Sequence, residues 1–243
     1  MTTASAPPGD APRRSTAPAA TAVDDPAELW RVPVTYGAVG ATQAPDLLQY
    51  PPRGYRPLVR TARVGHGPER WDYAWTRVMS WGIQRGAGFQ VTPVDAPSAA
   101  TESSYLPVVF DADGLPVAPA TIGAGGEAMY SPDGDALVRA GDTGVLRAPF
   151  WPKPFPVRVV YVLDEPARRG AAFGTLPGHP LAGEELFLVE RRDDDSVWLT
   201  VRIFSRASGG FWTLVSPVVR VIQFFLVRRY LNELTGPLPA PWA

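Results

Sequence analysis

The order of patterns along the chain predicts an α+β protein in which a curved antiparallel sheet grips a long C-terminal helix. Four β-type segments follow one another between residues 157 and 204, separated only by short polar links. A largely apolar helical pattern over residues 217–234 then closes the folded part of the chain. A strand–helix–strand pattern between residues 58 and 94 precedes both, and supplies a further pair of sheet strands.

The first unit begins with an alternating segment, LVRTARVG, which predicts a strand over 58–65. The next segment, 67–88, has helical spacing, and Pro68 suits its first turn because proline lacks the N–H that the helix leaves unused there. The segment FQVTPV predicts a returning strand over 89–94. The apolar face of the predicted helix consists of Trp71, Trp75, Val78 and Met79.

The second half of the chain predicts an antiparallel meander. Its segments are VRVVYVL at 157–163, AAFGTL at 171–176, EELFLVE at 184–190 and SVWLTVRIF at 196–204. The last alternates cleanly, so Val197, Leu199, Val201 and Ile203 should share one face. In the final helix, Ser216 is a candidate N-cap and Gly236 lies just beyond the predicted end.

The remaining segments define the domain boundaries. Residues 1–55 are rich in proline and alanine and predict a disordered or extended N-terminal arm, whose aromatic part can dock. Residues 56–236 form one domain, and 98–135 are an irregular insertion within it, where two short apolar runs bracketed by turn signals can pair as a hairpin. Residues 237–243 read as a flexible tail.

Composition restricts the chemistry that the 243 residues can perform. There is no cysteine, and the two histidines cannot build a histidine-rich metal site, so we expect no metal and no cofactor. A net charge of −1 gives no general attraction for nucleic acid. The N-terminus has no apolar segment typical of a secretory signal, so we expect a cytoplasmic protein, and the arginine, alanine and proline bias is typical of a high-GC bacterial genome.

Two stretches together resemble the DUF1990 (UPF0548) family. They are RVVYVLDEP…GTLPGHPLAGEELFLVE and RIFSRASGGFWTLVSPVVRVIQ, and the earlier RVGHGPERWDYAWTRVMSWGIQRGAGFQV is similar to the family's first helix and flanking strands. The resemblance covers roughly residues 56–234. It implies a helix-grip fold of the Bet v 1/START-like kind, whose members mostly enclose apolar ligands and less often act as enzymes. It brings no assigned catalytic residues.

The loop GTLPGHPLAGEE, residues 174–185, holds the candidate catalytic groups. His179 can serve as a general base, alone or paired with Glu184 or Glu185, of which one should face inward and one outward because they are adjacent on a strand. The alternative is a turn stiffened by its prolines and glycines, in which the polar side chains only order the backbone.

Candidate ligand-binding residues come from the same loop and from the strands and helix around it. They are Tyr161, Gly178, His179, Glu185, Leu199, Val201, Arg202 and Phe225. Arg202, like Arg158, can point outward into solvent, pair with Glu184 or Glu185, or bind an anionic ligand group.

The sequence therefore leaves three functions open. The first is binding of a small, largely apolar ligand between the sheet and the last helix, and the second is a cyclase, lyase or hydrolase that uses His179 with a glutamate. The third is an interaction module without a cavity, which contacts a protein or a membrane surface through the arm or through the apolar segment 211–229. Oligomeric state is not readable from these patterns.

Overall fold

A computed structural model describes residues 26–94, 109–110, 116–117, 130–131, 134–149, 151, 153–240 and 242. Within these residues, seven antiparallel strands form one sheet in the order β1-β9-β8-β7-β6-β5-β2. The strands are β1 (Arg56–His66), β2 (Gln90–Val94), β5 (Thr143–Arg147), β6 (Phe155–Glu165), β7 (Arg168–Thr175), β8 (Leu181–Arg191) and β9 (Ser196–Ala207). The predicted meander of β6 to β9 is confirmed, as is the α+β helix-grip architecture as a whole.

The described part of the insertion holds one small strand pair. β3 (Val109–Phe110) and β4 (Pro116–Val117) are antiparallel, with Val109 opposite Val117. They come from the two apolar runs that the sequence paired as a hairpin. The turn DADG between them lies outside the described residues.

The predicted helix over 67–88 is two helices. α1 (Pro68–Met79) begins at the predicted proline, and α2 (Gly82–Gly86) follows after a break at Ser80 and Trp81. Trp81 adopts a left-handed backbone conformation, with φ of 61°, and its ring packs 4.8 Å from that of Phe173. The break therefore lets one aromatic side chain fill the core instead of continuing the helix.

The sheet is buried on both faces. Its inner face meets α1, α2 and the C-terminal helix in the larger core, where Val197, Leu199, Val201 and Ile203 lie together as the alternation predicts. Its outer face forms a second core with the arm, in which Leu29, Tyr36 and Leu47 are buried. The described arm residues thus form short 3₁₀ turns, at Pro26–Arg31 and Ala41–Gln43, that cover the sheet. The sequence predicted a disordered or extended arm, whereas residues 26–55 contain these turns and pack on the sheet. Residues 1–25 lie outside the described residues.

The buried side chains of the C-terminal helix lie in its second half. A short helix, α3 (Phe211–Leu214), leads into α4 (Ser216–Glu233), so Ser216 is the first helical residue and not the predicted N-cap. Val227 and Tyr230 are the buried residues of α4. None of the helices in the described ranges is long and apolar enough to cross a membrane.

Polar contacts anchor the end of α4. Arg70 of α1 donates to the carbonyl of Leu234 at 2.7 Å, and Arg77 pairs with Glu233 at 2.9 Å. An arginine at a helix C-terminus satisfies a free carbonyl and opposes the negative end of the helix dipole. The segment after the helix packs as well, since the rings of Trp242 and Tyr73 are 5.9 Å apart. This packing differs from the flexible tail expected over 237–243.

Candidate functional site

A cavity of about 140 Å³ lies between the inner face of the sheet and α4. Most of its wall is apolar. α4 contributes Val219, Ile222 and Leu226, and Phe89 comes from the segment between α2 and β2. The strands and the loop after β7 contribute Leu146, Phe155, Val157, Phe173, Pro180 and Leu181. The polar side chains in the wall are Gln84, His179, Glu185, Gln223 and Tyr230. Among the described lining residues there is no arginine or lysine, so the site offers no cation to an anionic group.

Strand register places Glu185 in this cavity. Glu185 stands opposite Phe173 on β7 and Ile203 on β9, and both of these belong to the inner core. Its neighbour Glu184 stands opposite Gly174 and Phe204, and therefore points to the outer face. The prediction of one inward and one outward glutamate matches this register, and the inward one is Glu185.

The Glu185 carboxyl has no partner to stabilise its charge. The described residues give it no hydrogen bond and no ion pair, although its side chain is largely buried. Burial raises the pKa of Glu185 to about 8. The carboxyl is therefore mostly protonated at pH 7, and it presents both a donor and an acceptor to the cavity.

Tyr230 of α4 stands close to this carboxyl. Its ring packs edge-on against Phe187, with centroids 4.9 Å apart, and no hydrogen bond to its hydroxyl comes from the described residues. Burial, and then the charge of Glu185, raise the pKa of Tyr230 well above its ordinary value. The hydroxyl is therefore neutral at pH 7.

His179 reaches the cavity from a tight turn. The N–H of His179 donates to the carbonyl of Leu176 at 3.1 Å, and Gly178 has φ of 97°, which is the geometry of a type II turn with Pro177 in its second position. Its Nδ1 lies 3.0 Å from the N–H and 2.9 Å from the carbonyl of Leu181. Burial lowers the pKa of His179 to about 4, so the ring is neutral at pH 7.

Gln84 adds an unsatisfied acceptor. It lies on α2 and is buried, and its side-chain oxygen receives no hydrogen bond from the described residues. A buried polar atom without a partner costs free energy unless a water or a ligand satisfies it. Neither Gln84 nor Tyr230 was predictable as a site residue, because neither lies in a recognisable sequence motif. The only signal was a polar residue within an otherwise apolar helical pattern.

Glu184 has a different role on the outer face of the sheet. It is 2% exposed, and its carboxylate accepts hydrogen bonds from the Tyr36 hydroxyl at 2.8 Å, the Gly40 N–H at 2.8 Å and the Thr42 N–H at 3.1 Å. The Thr42 hydroxyl donates to it as well, and lies 2.6 Å from the hydroxyl of Tyr161. Burial raises the pKa of Glu184, and these hydrogen bonds oppose the rise. Glu184 and Tyr161 thus hold the arm and do not line the cavity.

The two strand arginines also hold the arm. Arg158 donates to the carbonyls of Leu29 at 2.6 Å and Val32 at 2.9 Å. Arg202 donates to the carbonyls of Gln43 and Ala44. The sequence left solvent, a glutamate and an anionic ligand as possible partners for these arginines. In the structure they bind the backbone of the arm instead, and neither arginine reaches the cavity.

Three other predicted ligand-binding residues lie near the cavity without lining it. Leu199 and Val201 are fully buried within the inner core, where side chains surround them. Phe225 points away from the sheet and is 60% exposed. Gly178 supplies the turn that carries His179. Of the eight predicted ligand-binding residues, His179 and Glu185 are the two that the structure brings together.

The described residues contain no cluster of three or more His, Cys, Asp or Glu side chains able to hold a metal ion. The side chains that line the cavity offer hydrogen bonding and proton transfer. A protonated carboxyl and a neutral imidazole line the same apolar space.

Comparison with known proteins gives a family and two relatives that match this chain over a short stretch. The model of DUF1990, a domain of unknown function, matches residues 35–124 and 126–233, and so includes part of the arm. A UPF0548 protein of Deinococcus radiodurans is 44% identical over 77 residues, which are 32% of this chain and 39% of that protein. A UPF0548 protein of Arabidopsis thaliana is 37% identical over 79 residues, 30% of this chain and 38% of that protein. Each match spans less than two fifths of the relative's length.

Solved structures with a similar outline are distant in sequence. A hypothetical protein of Helicobacter pylori is 7% identical, with a TM-score of 0.45 over 79% of this chain and 92% of that one. Ara h 8.0201 is 9% identical, with a TM-score of 0.40 over 74% of this chain and 98% of that one. At such scores the likeness carries no argument, and the architecture is assigned from the strand order and helix placement described above. The family match, in contrast, extends over most of the chain, and this protein belongs to the DUF1990 family.

Proposed function

We propose that this protein binds a small, largely apolar molecule in the cavity between the sheet and α4. The observation that carries the proposal is the set of polar groups without protein partners in one apolar cavity. Among the described residues the Gln84 oxygen is buried without a partner, and the Glu185 carboxyl and the Tyr230 hydroxyl, which also line the cavity, receive no hydrogen bond. Buried polar groups are normally satisfied, so a site that leaves several unsatisfied favours a ligand that completes them.

The size of the cavity limits the ligand. A cavity of about 150 Å³ lined by apolar side chains accommodates benzene. The 140 Å³ space here supports a buried group of similar size, a single ring or a short branched chain. Its walls supply affinity through burial, at about 25 cal/mol for each Å² of apolar surface removed from water.

The polar groups specify the other part of the ligand. A protonated Glu185 donates a hydrogen bond, Gln84 accepts one, and Tyr230 can do either. The absence of a cation from the described lining disfavours a carboxylate or phosphate, because an unpaired buried anion is costly. The geometry favours an uncharged hydrogen-bonding group such as an alcohol or amide, or an amine that takes the proton of Glu185.

The experiment compares two probes of nearly equal size, toluene and benzyl alcohol, by isothermal titration calorimetry at pH 6.5. Wild type should bind benzyl alcohol more tightly than toluene, and Glu185→Leu should reverse this preference by removing the polar partner. Glu184→Gln is the matched control on the neighbouring residue and should keep the wild-type preference. Equal affinities in wild type, or no binding of either probe, would contradict the proposal.

A second candidate function is proton-transfer catalysis in the same cavity. It is favoured by one observation, the opposite displacement of two pKa values, with Glu185 raised to about 8 and His179 lowered to about 4. Environments that separate two titratable groups in this way are typical of acid–base pairs. Glu185 would then act as the acid and His179 as the base. A pH–rate profile with the two limbs set by these groups, and loss of the acidic limb in His179→Gln, is the test.

A further inference from the structure

The outward face of α3 and α4 is an exposed apolar surface. On α4 it consists of Val218, Val221, Ile222, Phe224 and Phe225, and on α3 of Phe211 and Leu214. Leu214 is 82% exposed. The spacing 218, 221, 225 is that of one helical stripe that points away from the buried Val227 and Tyr230, and Ile222 lies at its edge, where it also lines the cavity. A contiguous apolar surface of this kind marks an interaction site.

Arginines border this surface, and the one acid of α4, Glu233, pairs with Arg77. Arg220, Arg228 and Arg229 lie on α4, and the stretch from residue 208 to residue 232 contains no Asp or Glu. No carboxylate of the described residues forms an ion pair with any of the three. The whole chain has a net charge of −1, so this basic patch is local and does not reflect general composition.

Two further arginines face α4 across a groove. The groove has a volume of about 490 Å³, and it brings Arg56 of β1 and Arg206 of β9 next to Arg220. Ser205, Thr213 and Ser216 add hydroxyl groups to its wall, and Phe224 adds a ring. Several guanidinium groups beside hydroxyls suit the oxygens of a phosphate group. The groove opens next to the apolar stripe.

We infer that this surface docks on an anionic phospholipid bilayer, with the α3–α4 stripe in the interfacial layer and the arginines on the lipid headgroups. A helix that exposes aromatic and aliphatic side chains next to arginines can bind at a bilayer surface in this manner. A second copy of the chain fits less well, because a two-fold contact between identical faces would set arginines against arginines. This docking goes beyond ligand binding, and its surface shares Ile222 with the cavity wall.

The electrostatic part is tested by co-sedimentation of the full chain with vesicles. Vesicles of phosphatidylcholine and phosphatidylserine in equal parts should bind the protein, and vesicles of phosphatidylcholine alone should bind it far less. Each arginine near such a surface contributes about fivefold to the affinity, so three replacements should lower it about a hundredfold. The test variant is Arg220→Gln/Arg228→Gln/Arg229→Gln, and the matched control is Arg63→Gln/Arg147→Gln/Arg192→Gln.

The apolar part is tested with a single introduced cysteine, since the chain has none of its own. An environment-sensitive dye on Leu214→Cys should shift to the blue on mixing with the phosphatidylserine vesicles. The same dye on Leu48→Cys, an apolar position on the arm that is 62% exposed, should not shift. Val221→Ser/Phe225→Ser should abolish both the shift and the sedimentation while leaving the thermal unfolding temperature unchanged, because both side chains are exposed.

Three results would overturn the inference. One is the absence of sedimentation with phosphatidylserine vesicles, and another is binding that the α4 arginine variant does not weaken. The third is a stable dimer by light scattering that Val221→Ser/Phe225→Ser converts to a monomer, which would assign the surface to a protein contact.

Discussion

The protonation of Glu185 predicts how the stability of the protein depends on pH. The pKa of Glu185 is raised from 4.5 to about 8 in the fold, so the folded state holds a proton that the unfolded state has released between these values. Stability therefore falls as pH rises through this window. Each pKa unit corresponds to about 1.4 kcal/mol, which sets an upper limit of about 5 kcal/mol for the full shift.

His179 acts in the opposite direction over part of the same range. Its pKa is lowered from 6.5 to about 4, so between these values the unfolded state binds a proton that the folded state does not. Its contribution is complete above pH 6.5 and is lost as pH falls toward 4. Between pH 4.5 and 6.5 the two slopes cancel, and above pH 6.5 only the loss from Glu185 remains.

The assay is urea unfolding at pH 6.5 and pH 8, followed by circular dichroism. From these two groups wild type should lose about 1 kcal/mol of unfolding free energy over this interval, which is less than 1.5 units at 1.4 kcal/mol each because Glu185 is half ionised at pH 8 and the unfolded His179 is half protonated at pH 6.5. Glu185→Gln, which is neutral throughout, should lose none of it. Glu69→Gln, at an exposed position in the first turn of α1, is the matched control and should run parallel to wild type. An equal change in unfolding free energy between pH 6.5 and pH 8 for wild type and Glu185→Gln would refute the reasoning.

Two further predictions concern the outer face of the sheet. Glu184→Leu leaves the Tyr36 hydroxyl and the backbone N–H groups of the arm without their acceptor. It should therefore lower the unfolding free energy by about 3–5 kcal/mol in urea titrations. A smaller loss than in an exposed-site variant would contradict the role of Glu184 in holding the arm. Gly174→Ala would place a methyl group 2.5 Å from the Tyr36 hydroxyl and 2.8 Å from Val160, and should cost about 1–3 kcal/mol. Gly37→Ala, whose added methyl group meets nothing within 4 Å, is its control in the same thermal scans, and equal melting temperatures would count against the packing.

The fold was largely predictable because its periodicities are local. The alternation in β9 assigned four residues to one face, and Pro68 marked the start of α1. The break at Trp81 was not predictable, because the pattern on both sides of it remains helical. It depends on the contact of the Trp81 ring with Phe173, which is about ninety residues away in sequence.

The candidate site was half predictable. Adjacent glutamates on a strand must face opposite sides, but which of them faces inward depends on register with β7 and β9. Tyr161, Glu184 and Arg202 were predicted near the ligand because polar residues within apolar strands suggest a cavity. The arm supplies the other explanation, since it buries the outer face and uses these side chains as its attachment points. The continuous apolar run of β6 was the available signal that both faces of the sheet are covered.

The central claim is that the cavity holds a small molecule, and native mass spectrometry of gently purified protein tests it most directly. Wild type and Phe225→Trp, which adds a ring on the outward side of α4, should both carry the same bound mass. Leu226→Trp should lose the bound mass. Leu226, unlike its neighbour Phe225, lines the cavity, so the larger ring at this position would fill the space. Both variants should keep the wild-type circular dichroism spectrum. Protein that is empty in all three forms, and takes up neither toluene nor benzyl alcohol when these are added, would contradict the account.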